Sequence, residues 1–396
     1  MKCYIILVGT ELLNGMMVDT NSIYMAENLN RYGVEIVGKS VVGDKIKDIE
    51  KTIKYGKEIS DFVVISGGLG PTIDDLTRDA VAKFLDKPLT LYKEEFEKIK
   101  EKFKRVNIKM AENNIRQAKF PEGAIIIDNK SGAAPAFLID DIAVFPGVPS
   151  EVKETFPKFL NMYFKDKEKK EMYIKDILVW GLPESELEEK IYDIILNEKG
   201  IFVEFLVKNY GIIIRFLAEK NKKEEIDILK EKIYSRIGKY IFGEDEDRIE
   251  RLVLKGLENN NYTISTAESC TGGMVATKLI GLSGISKYYK EGLITYSNES
   301  KIYRLGVEEE IIVKYGAVSE QTVNEMLDGL KTDVKIAISG IAGPTGGTKE
   351  KPVGTVYIGI EVAGEKEIKK YLFRGDREVV RERAALTALN MVREKL

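Results

Sequence analysis

Histidine is absent from all 396 residues, so a serine or cysteine nucleophile in this chain must be activated by something other than imidazole. Cysteine is almost absent too: Cys3 and Cys270 stand far apart, which excludes a framework of paired disulfides and suits a reducing cytosol. Neither sign of charge dominates. The 61 basic and 64 acidic residues leave a formal charge of -3, so no global positive field calls for nucleic acid as a direct partner. Long apolar runs are missing as well. Residues 4–8 are apolar but lead into Gly9-Thr10-Glu11 rather than a signal-peptide core and cleavage site, and no run approaches a membrane span. These absences describe a soluble, cytoplasmic protein that takes small molecules, with length enough for two or three domains.

The first ~165 residues alternate buried-strand runs with amphipathic segments, the pattern of an α/β domain with a mainly parallel sheet. A strand at 4–8 is followed by a helix from Thr20 that carries Met25, Leu29 and Tyr32 and stops at Gly33. Residues 34–42 are β-like, Asp44 caps a helix carrying Ile46, Ile49 and Ile53, and 62–65 is a short buried strand. The charged run 165–171 reads as a linker. Beyond it a β-α-β-β-α order (174–180, 184–196, 201–207, 211–218, 222–239) suits a small α+β module that orients its neighbours or forms an oligomer contact. A third, α/β domain opens with a helix near 247–259 and closes with one at 377–396. The expected domains are therefore 1–168, 169–246 and 247–396.

Three loops of the last domain follow expected strands, and ligand sites in open α/β sheets gather at the carboxyl ends of strands. The first, Thr266 to Gly273, presents Ser269, Cys270 and Thr271 on a turn closed by Gly272 and Gly273, where backbone N–H groups can hold an anion. The second runs from Thr295 to Lys301, with Tyr296 and with Asn298 as helix cap. The third begins Ser339-Gly340. Lysine replaces histidine as a base only when desolvation or nearby positive charge lowers its pKa, and Lys301 is the candidate because it sits among hydroxyl residues. Arg377 opens the last helix and suits a phosphate. Each feature alone also has a plain reading: a turn glycine, a solvated lysine, an ion-paired arginine, a small buried cysteine.

In the first domain, Gly67-Gly68-Leu69-Gly70-Pro71-Thr72-Ile73-Asp74-Asp75 joins a buried strand to a helix. Its backbone can approach a phosphate while Asp74 or Asp75 holds a divalent cation, as in metal-assisted chemistry at a pyrophosphate. The same pair also reads as a helix cap with dipole-favourable charge. Glu11 and Asp44 add carboxylates at other strand ends.

TAESCTGG, ITYSNESK, YGAVSE, SGIAGPTGG, KPVGTVY and GDRE, in that order, resemble the carboxyl-terminal domain of the CinA (competence/damage-inducible protein) family, of the nicotinamide mononucleotide deamidase type, over about 249–396. The resemblance implies hydrolysis of nicotinamide mononucleotide to nicotinate mononucleotide and ammonia without a cofactor. It puts the nucleophile on Ser269, the base on Lys301 and the phosphate-side arginine on Arg377, with the hydroxyls of Tyr296 and Ser339 holding the base. Backbone around Thr271, Gly272 and Gly273 stabilises the oxyanion, and Gly340 lies on the substrate side. Ser339 stands where relatives often have threonine.

GTELLNG, VDTN, VVGD, SGGLGPTIDDLT, NNIRQA and FPGVPSE resemble the same family's amino-terminal domain, related to the molybdopterin-binding fold, over about 1–164. That implies a Mg-, Mn- or Co-dependent ADP-ribose pyrophosphatase yielding AMP and ribose 5-phosphate. Glu11, Asp44, Asp74 and Asp75 would serve the metal, and Thr10, Asn21, Gly67, Gly68, Thr72 and Asn114 the ligand. Ala136 replaces a glycine of the family's loop, and its Cβ limits close approach. Three other readings stay open: a pterin- or nucleotide-binding regulatory domain, nucleotidyl transfer to molybdopterin, or a competence factor acting through protein partners. The resemblance favours a homodimer.

Overall fold

The computed structural model describes residues 1–165, 167, 171–196 and 198–396. The expected linker at 165–171 and the boundary at 168 fall largely on residues outside that set. The chain forms two compact units, Met1–Ile174 with Ala218–Lys223, and Lys175–Leu217 with Glu224–Leu396.

The first unit is built on a six-stranded sheet in the order Glu35–Val42, Lys2–Val8, Phe62–Ser66, Ile142–Phe145, Ala136–Ile139, Ile125–Ile127. Its first four strands are parallel, and Ala136–Ile139 runs antiparallel to its neighbours on both sides. The unbroken apolar run at the amino terminus has a simple cause. Successive side chains of a strand point to opposite faces, and here both faces are covered. Cys3, Ile5 and Leu7 enter one core with Phe62 and Val64, while Tyr4, Ile6 and Val8 enter another with Val63 and Ile65. The helix Ile46–Ile59 lays Ile49, Ile53 and Gly56 on the second core. A Cβ at Gly56 would stand 2.9 Å from the Tyr4 ring, so glycine lets helix and sheet approach. Asp44 does not cap this helix. Lys45 occupies the cap position without a side-chain bond, because the Asp44 carboxylate is bound to Thr10.

The middle module forms a four-stranded sheet in the order Ile201–Lys208, Gly211–Glu219, Met172–Val179, Ile241–Glu244. The last of these strands was hidden in sequence by the acidic run that follows it. Leu178, Ile213 and Phe242 share one apolar cluster with Val253, Leu257 and Ile264. A continuous core therefore joins this module to the third domain.

In the third domain the sheet runs Tyr289–Ile294, Ile264–Glu268, Val334–Gly340, Thr355–Val362, Glu365–Leu372. The first three strands are parallel, and Thr355–Val362 runs antiparallel to its neighbours on both sides. The helix Arg377–Lys395 buries ten side chains between Val380 and Val392, including Thr387 and Asn390, as befits a helix covered on most sides. On the opposite face Ala267 and Ala337 pack with Val323, Met326 and Leu327 of the helix Glu320–Asp328. Among the described residues no helix is long and apolar enough to cross a membrane.

Candidate active site

Parallel pairing brings the three loops of the third domain together. Glu268 lies in register with Ile294 on one side and Ile338 on the other, so the chain leaves all three strands at one edge. Two backbone bonds hold the exits: Ser269 N–H to Ile338 O at 3.0 Å, and Thr295 N–H to Glu268 O at 2.9 Å.

Lys301 reaches Ser269. Its Nζ lies 3.2 Å from Ser269 Oγ, 2.8 Å from Thr295 O and 3.3 Å from Tyr296 O. The side chain is only 1 % exposed, and among the described residues it forms no ion pair with a carboxylate. Burial pushes its pKa below the ordinary 10.5, against a weaker opposing pull from Cys270 and Glu299. The short helix Asn298–Leu305 that carries Lys301 is capped by Ser297, whose hydroxyl accepts from Ser300 N–H at 3.1 Å. Asn298, the expected cap, is the first helical residue.

The expected supports of Lys301 are corrected. The Tyr296 ring is largely exposed, and its hydroxyl meets Arg377 Nη2 at 3.1 Å. Ser339 Oγ donates to Ala317 O at 2.6 Å, which ties the third loop to the YGAVSE segment. Lysine is held by carbonyls instead, because the loop winding back into the helix turns them inward. These acceptors also serve an ammonium, so the depressed pKa rests on burial.

Two of the three expected oxyanion donors are already engaged: Gly272 N–H donates to Ser269 O at 3.1 Å, and Gly273 N–H to a Glu268 oxygen at 3.0 Å. Thr271 N–H, the third, makes no backbone bond among the described residues, and neither does Cys270 N–H. Gly272 and Gly273 have φ of 60° and 90°, the left-handed region that glycine enters without strain. At Gly340 a Cβ would fall 3.0 Å from both Cys270 Sγ and Thr355 O, so glycine is required for close packing rather than for backbone conformation. Cys270 is a core residue, its thiol pushed up to about 12 by burial. The buried hydroxyls of Thr271 and Thr295 have no partner among the described residues.

Two positioning residues were missed. Glu268 is 1 % exposed, and its carboxylate accepts from the N–H groups of Gly273, Val275 and Ala276, capping the helix Met274–Ile280 from the strand behind it. Arg381 donates from Nε to Cys270 O at 3.0 Å and from Nη2 to Thr271 O at 2.9 Å. Their sequence signals are a carboxylate closing a buried strand before a glycine turn, and a second arginine one helical turn beyond Arg377. Arg377 itself donates to Gly343 O at 2.7 Å and is exposed at the loop edge.

In the first unit a cavity of about 620 Å³ is lined by Glu11, Asn21, Asp44, Gly67, Gly68, Asp74 and Asp75 among others. Thr10, Thr72 and Asn114 do not line it. Thr10 binds Asp44 through N–H and hydroxyl, Thr72 does the same to Asp75, and Asn114 Nδ2 donates to Gln117 Oε1 at 2.9 Å. Asn21 Nδ2 donates to Ser66 Oγ and to Gly147 O. Buried Arg78, also missed, braces the glycine loop through Leu69 O and Gly70 O, both at 2.7 Å. Glu151 lines the cavity, its carboxyl raised by burial against the opposing amide of Asn129. Ala136 begins a strand, paired with Ile127, and leaves the cavity wall to Ala133 and Ala134.

The expected cation cluster does not form. Among the described residues no three of Cys, Asp or Glu gather as a metal-binding group. The Asp75 carboxylate accepts from Gly70 N–H, Thr72 N–H and the Thr72 hydroxyl, and Asp44 from Thr10, so both anchor loops. Glu11 and Asp74 remain as exposed carboxylates on the cavity wall.

Comparison with known proteins finds three family models that match separate stretches of the chain. Residues 246–396 match the model of the CinA C-terminal domain, 4–166 that of a probable molybdopterin binding domain, and 175–243 that of the damage-inducible protein CinA KH domain. A CinA-like protein of Fusobacterium nucleatum is 49 % identical over 392 residues, covering 98 % of this chain and 97 % of its own. A CinA-like protein of Kosmotoga olearia is 41 % identical over 408 residues, covering 100 % and 99 %. The competence damage-inducible protein A of Klebsiella pneumoniae, a solved structure, is 36 % identical over 38 % of this chain and 97 % of its own, with a TM-score of 0.36.

Proposed function

The chain belongs to the CinA family, and on that premise we propose that its carboxyl-terminal domain is a Ser/Lys amidohydrolase that deamidates nicotinamide mononucleotide to nicotinate mononucleotide and ammonia. One observation carries the reading: a buried lysine with no carboxylate partner among the described residues, 3.2 Å from a serine hydroxyl on a glycine turn. Ser269 Oγ attacks the amide carbon while its proton passes to neutral Lys301 Nζ. The carbonyl oxygen takes up negative charge beside Thr271 N–H. Collapse of the tetrahedral adduct breaks the C–N bond, and Lys301 returns the proton to the leaving ammonia. Water then attacks the ester, gives its proton to Lys301, and restores Ser269 as nicotinate mononucleotide leaves. Arg377 holds the phosphate at the loop edge; Glu268 and Arg381 hold the nucleophile loop from behind. Ammonia release from nicotinamide mononucleotide, measured for the full chain and for Ser269→Ala and Lys301→Ala, tests this. Both variants are expected to be inactive, and full activity in either ends the proposal.

The amino-terminal cavity is proposed to take a phosphorylated nucleotide such as ADP-ribose. Its support is the volume, the Gly67-Gly68 backbone along the wall and the bracing of that loop by Arg78. The engaged carboxylates favour binding over hydrolysis. Incubating Ser269→Ala with ADP-ribose, with and without Mg²⁺, Mn²⁺ or Co²⁺, separates the two: binding of intact ADP-ribose agrees with the reading, whereas release of AMP and ribose 5-phosphate replaces it with a pyrophosphatase.

A further inference from the structure

The second unit contains another cavity, of about 750 Å³, to which no residue of the Ser269 site contributes. One wall comes from the middle module, with Trp180, Lys208 and Tyr240; the other comes from the third domain, with Tyr371, Phe373 and Arg383. Its chemistry is two-sided. The rings of Tyr371 and Phe373 stack at 5.4 Å with 8° between their planes, an aromatic pair lining a cavity that also holds an indole. The cations Lys208, Lys239 and Arg383 are exposed, and among the described residues none is paired with a carboxylate. Lys239 Nζ sits 4.7 Å above the Tyr240 ring. Of the two carboxylates in the lining, Glu394 is bonded to Asn390 and Arg393, so positive charge is in excess. Thr387, only 6 % exposed, lines the cavity and makes no side-chain bond among the described residues.

Aromatic faces beside unpaired cations select a ligand with a flat ring and an anionic group. We propose that this cavity binds a nucleoside monophosphate, its base against the aromatic wall and its phosphate on Arg383 and Lys208. The volume falls in the range of small-molecule sites. A single nucleotide fits better than a nucleic-acid strand, because a strand needs a basic track several nucleotides long and the chain's formal charge is -3. The inference stands apart from the amidase reading, since the two sites share no residue.

Trp180 is the chain's single tryptophan, so its emission reports on this cavity. The full-length protein is titrated with AMP, with adenosine and with a short single-stranded oligoribonucleotide, alongside Arg383→Ala and Lys208→Ala. Both substitutions are at exposed positions, and unchanged thermal unfolding confirms that they fold. The expected result is a saturable change in Trp180 emission with AMP, weakened about tenfold by loss of either cation and about tenfold when the phosphate is absent. An emission that ignores AMP at millimolar concentration overturns the proposal. So does an AMP response unaltered in both variants, or a response to the oligoribonucleotide alone.

Discussion

Replacing Lys301 by methionine keeps the shape of the side chain and removes the amine. Four contacts disappear, to Thr295 O, Tyr296 O, Ser297 O and Ser269 Oγ, and the orphaned carbonyls cost about 1–3 kcal/mol in all. Against this, the wild-type protein carries a buried amine whose charged form is penalised by desolvation. The opposing terms leave Lys301→Met within about 2 kcal/mol of wild type. The pH dependence separates them further. The folded protein releases the Lys301 proton at a lower pH than the unfolded chain, so between those two values unfolding takes up a proton and wild-type stability rises with pH. The slope reaches about 1.4 kcal/mol per pH unit and vanishes above the ordinary lysine value. Lys301→Met lacks it, so the variant compares most favourably with wild type at low pH. Ammonia release should fall by about 10²–10⁴ in the variant, the usual worth of a general base, and the wild-type rate should climb with pH through the depressed Lys301 pKa. Urea unfolding across a pH series and an ammonia assay read both quantities. Parallel pH–stability curves, or a variant retaining a tenth of the activity, would refute the reasoning.

Other consequences follow from the supports of the loop. Glu268→Gln turns one acceptor oxygen into a donor facing backbone N–H groups and should cost about 1–3 kcal/mol, visible as a lower urea midpoint, together with a lower kcat. Arg381→Met removes both ties to the loop carbonyls; kcat should fall about tenfold with KM nearly unchanged, because the guanidinium positions the nucleophile rather than the substrate. Arg377→Ala should do the reverse and raise KM for the mononucleotide about tenfold, with little change for a substrate lacking the phosphate. Gly340→Ala drives a methyl against Cys270 Sγ and the Thr355 carbonyl, costing about 1–3 kcal/mol in thermal or urea unfolding.

Much of this was legible in the chain because its signals are local. The unbroken run in Lys2–Val8 announces a strand covered on both faces, and the turn after Ile264–Glu268 announces Ser269 at a strand exit. Convergence of the three loops was readable as a rule about parallel sheets, although the 3.2 Å contact between Lys301 and Ser269 was not. What escaped depends on partners distant in sequence. Asp44 carries the composition of a helix cap, yet its carboxylate is bound by Thr10, 34 residues away. Arg381 reaches Cys270 across 111 residues, and Ser339 reaches Ala317 across 22. Asp74 and Asp75 look alike in sequence, but the Pro71-Thr72 turn folds Gly70 and Thr72 onto Asp75 and leaves Asp74 exposed. Merging of the middle module with the third domain likewise rests on Leu178, Ile213 and Phe242 meeting a core assembled from later elements.

Rapid acid quenching of the protein during turnover of nicotinamide mononucleotide, followed by peptide mass mapping, addresses the Ser269–Lys301 chemistry most directly. An ester of the nicotinate mononucleotide acyl group on the peptide containing Ser269, absent from Ser269→Ala, is the predicted result. Ammonia release that proceeds with no ester on Ser269, or unabated in Ser269→Ala, would contradict it.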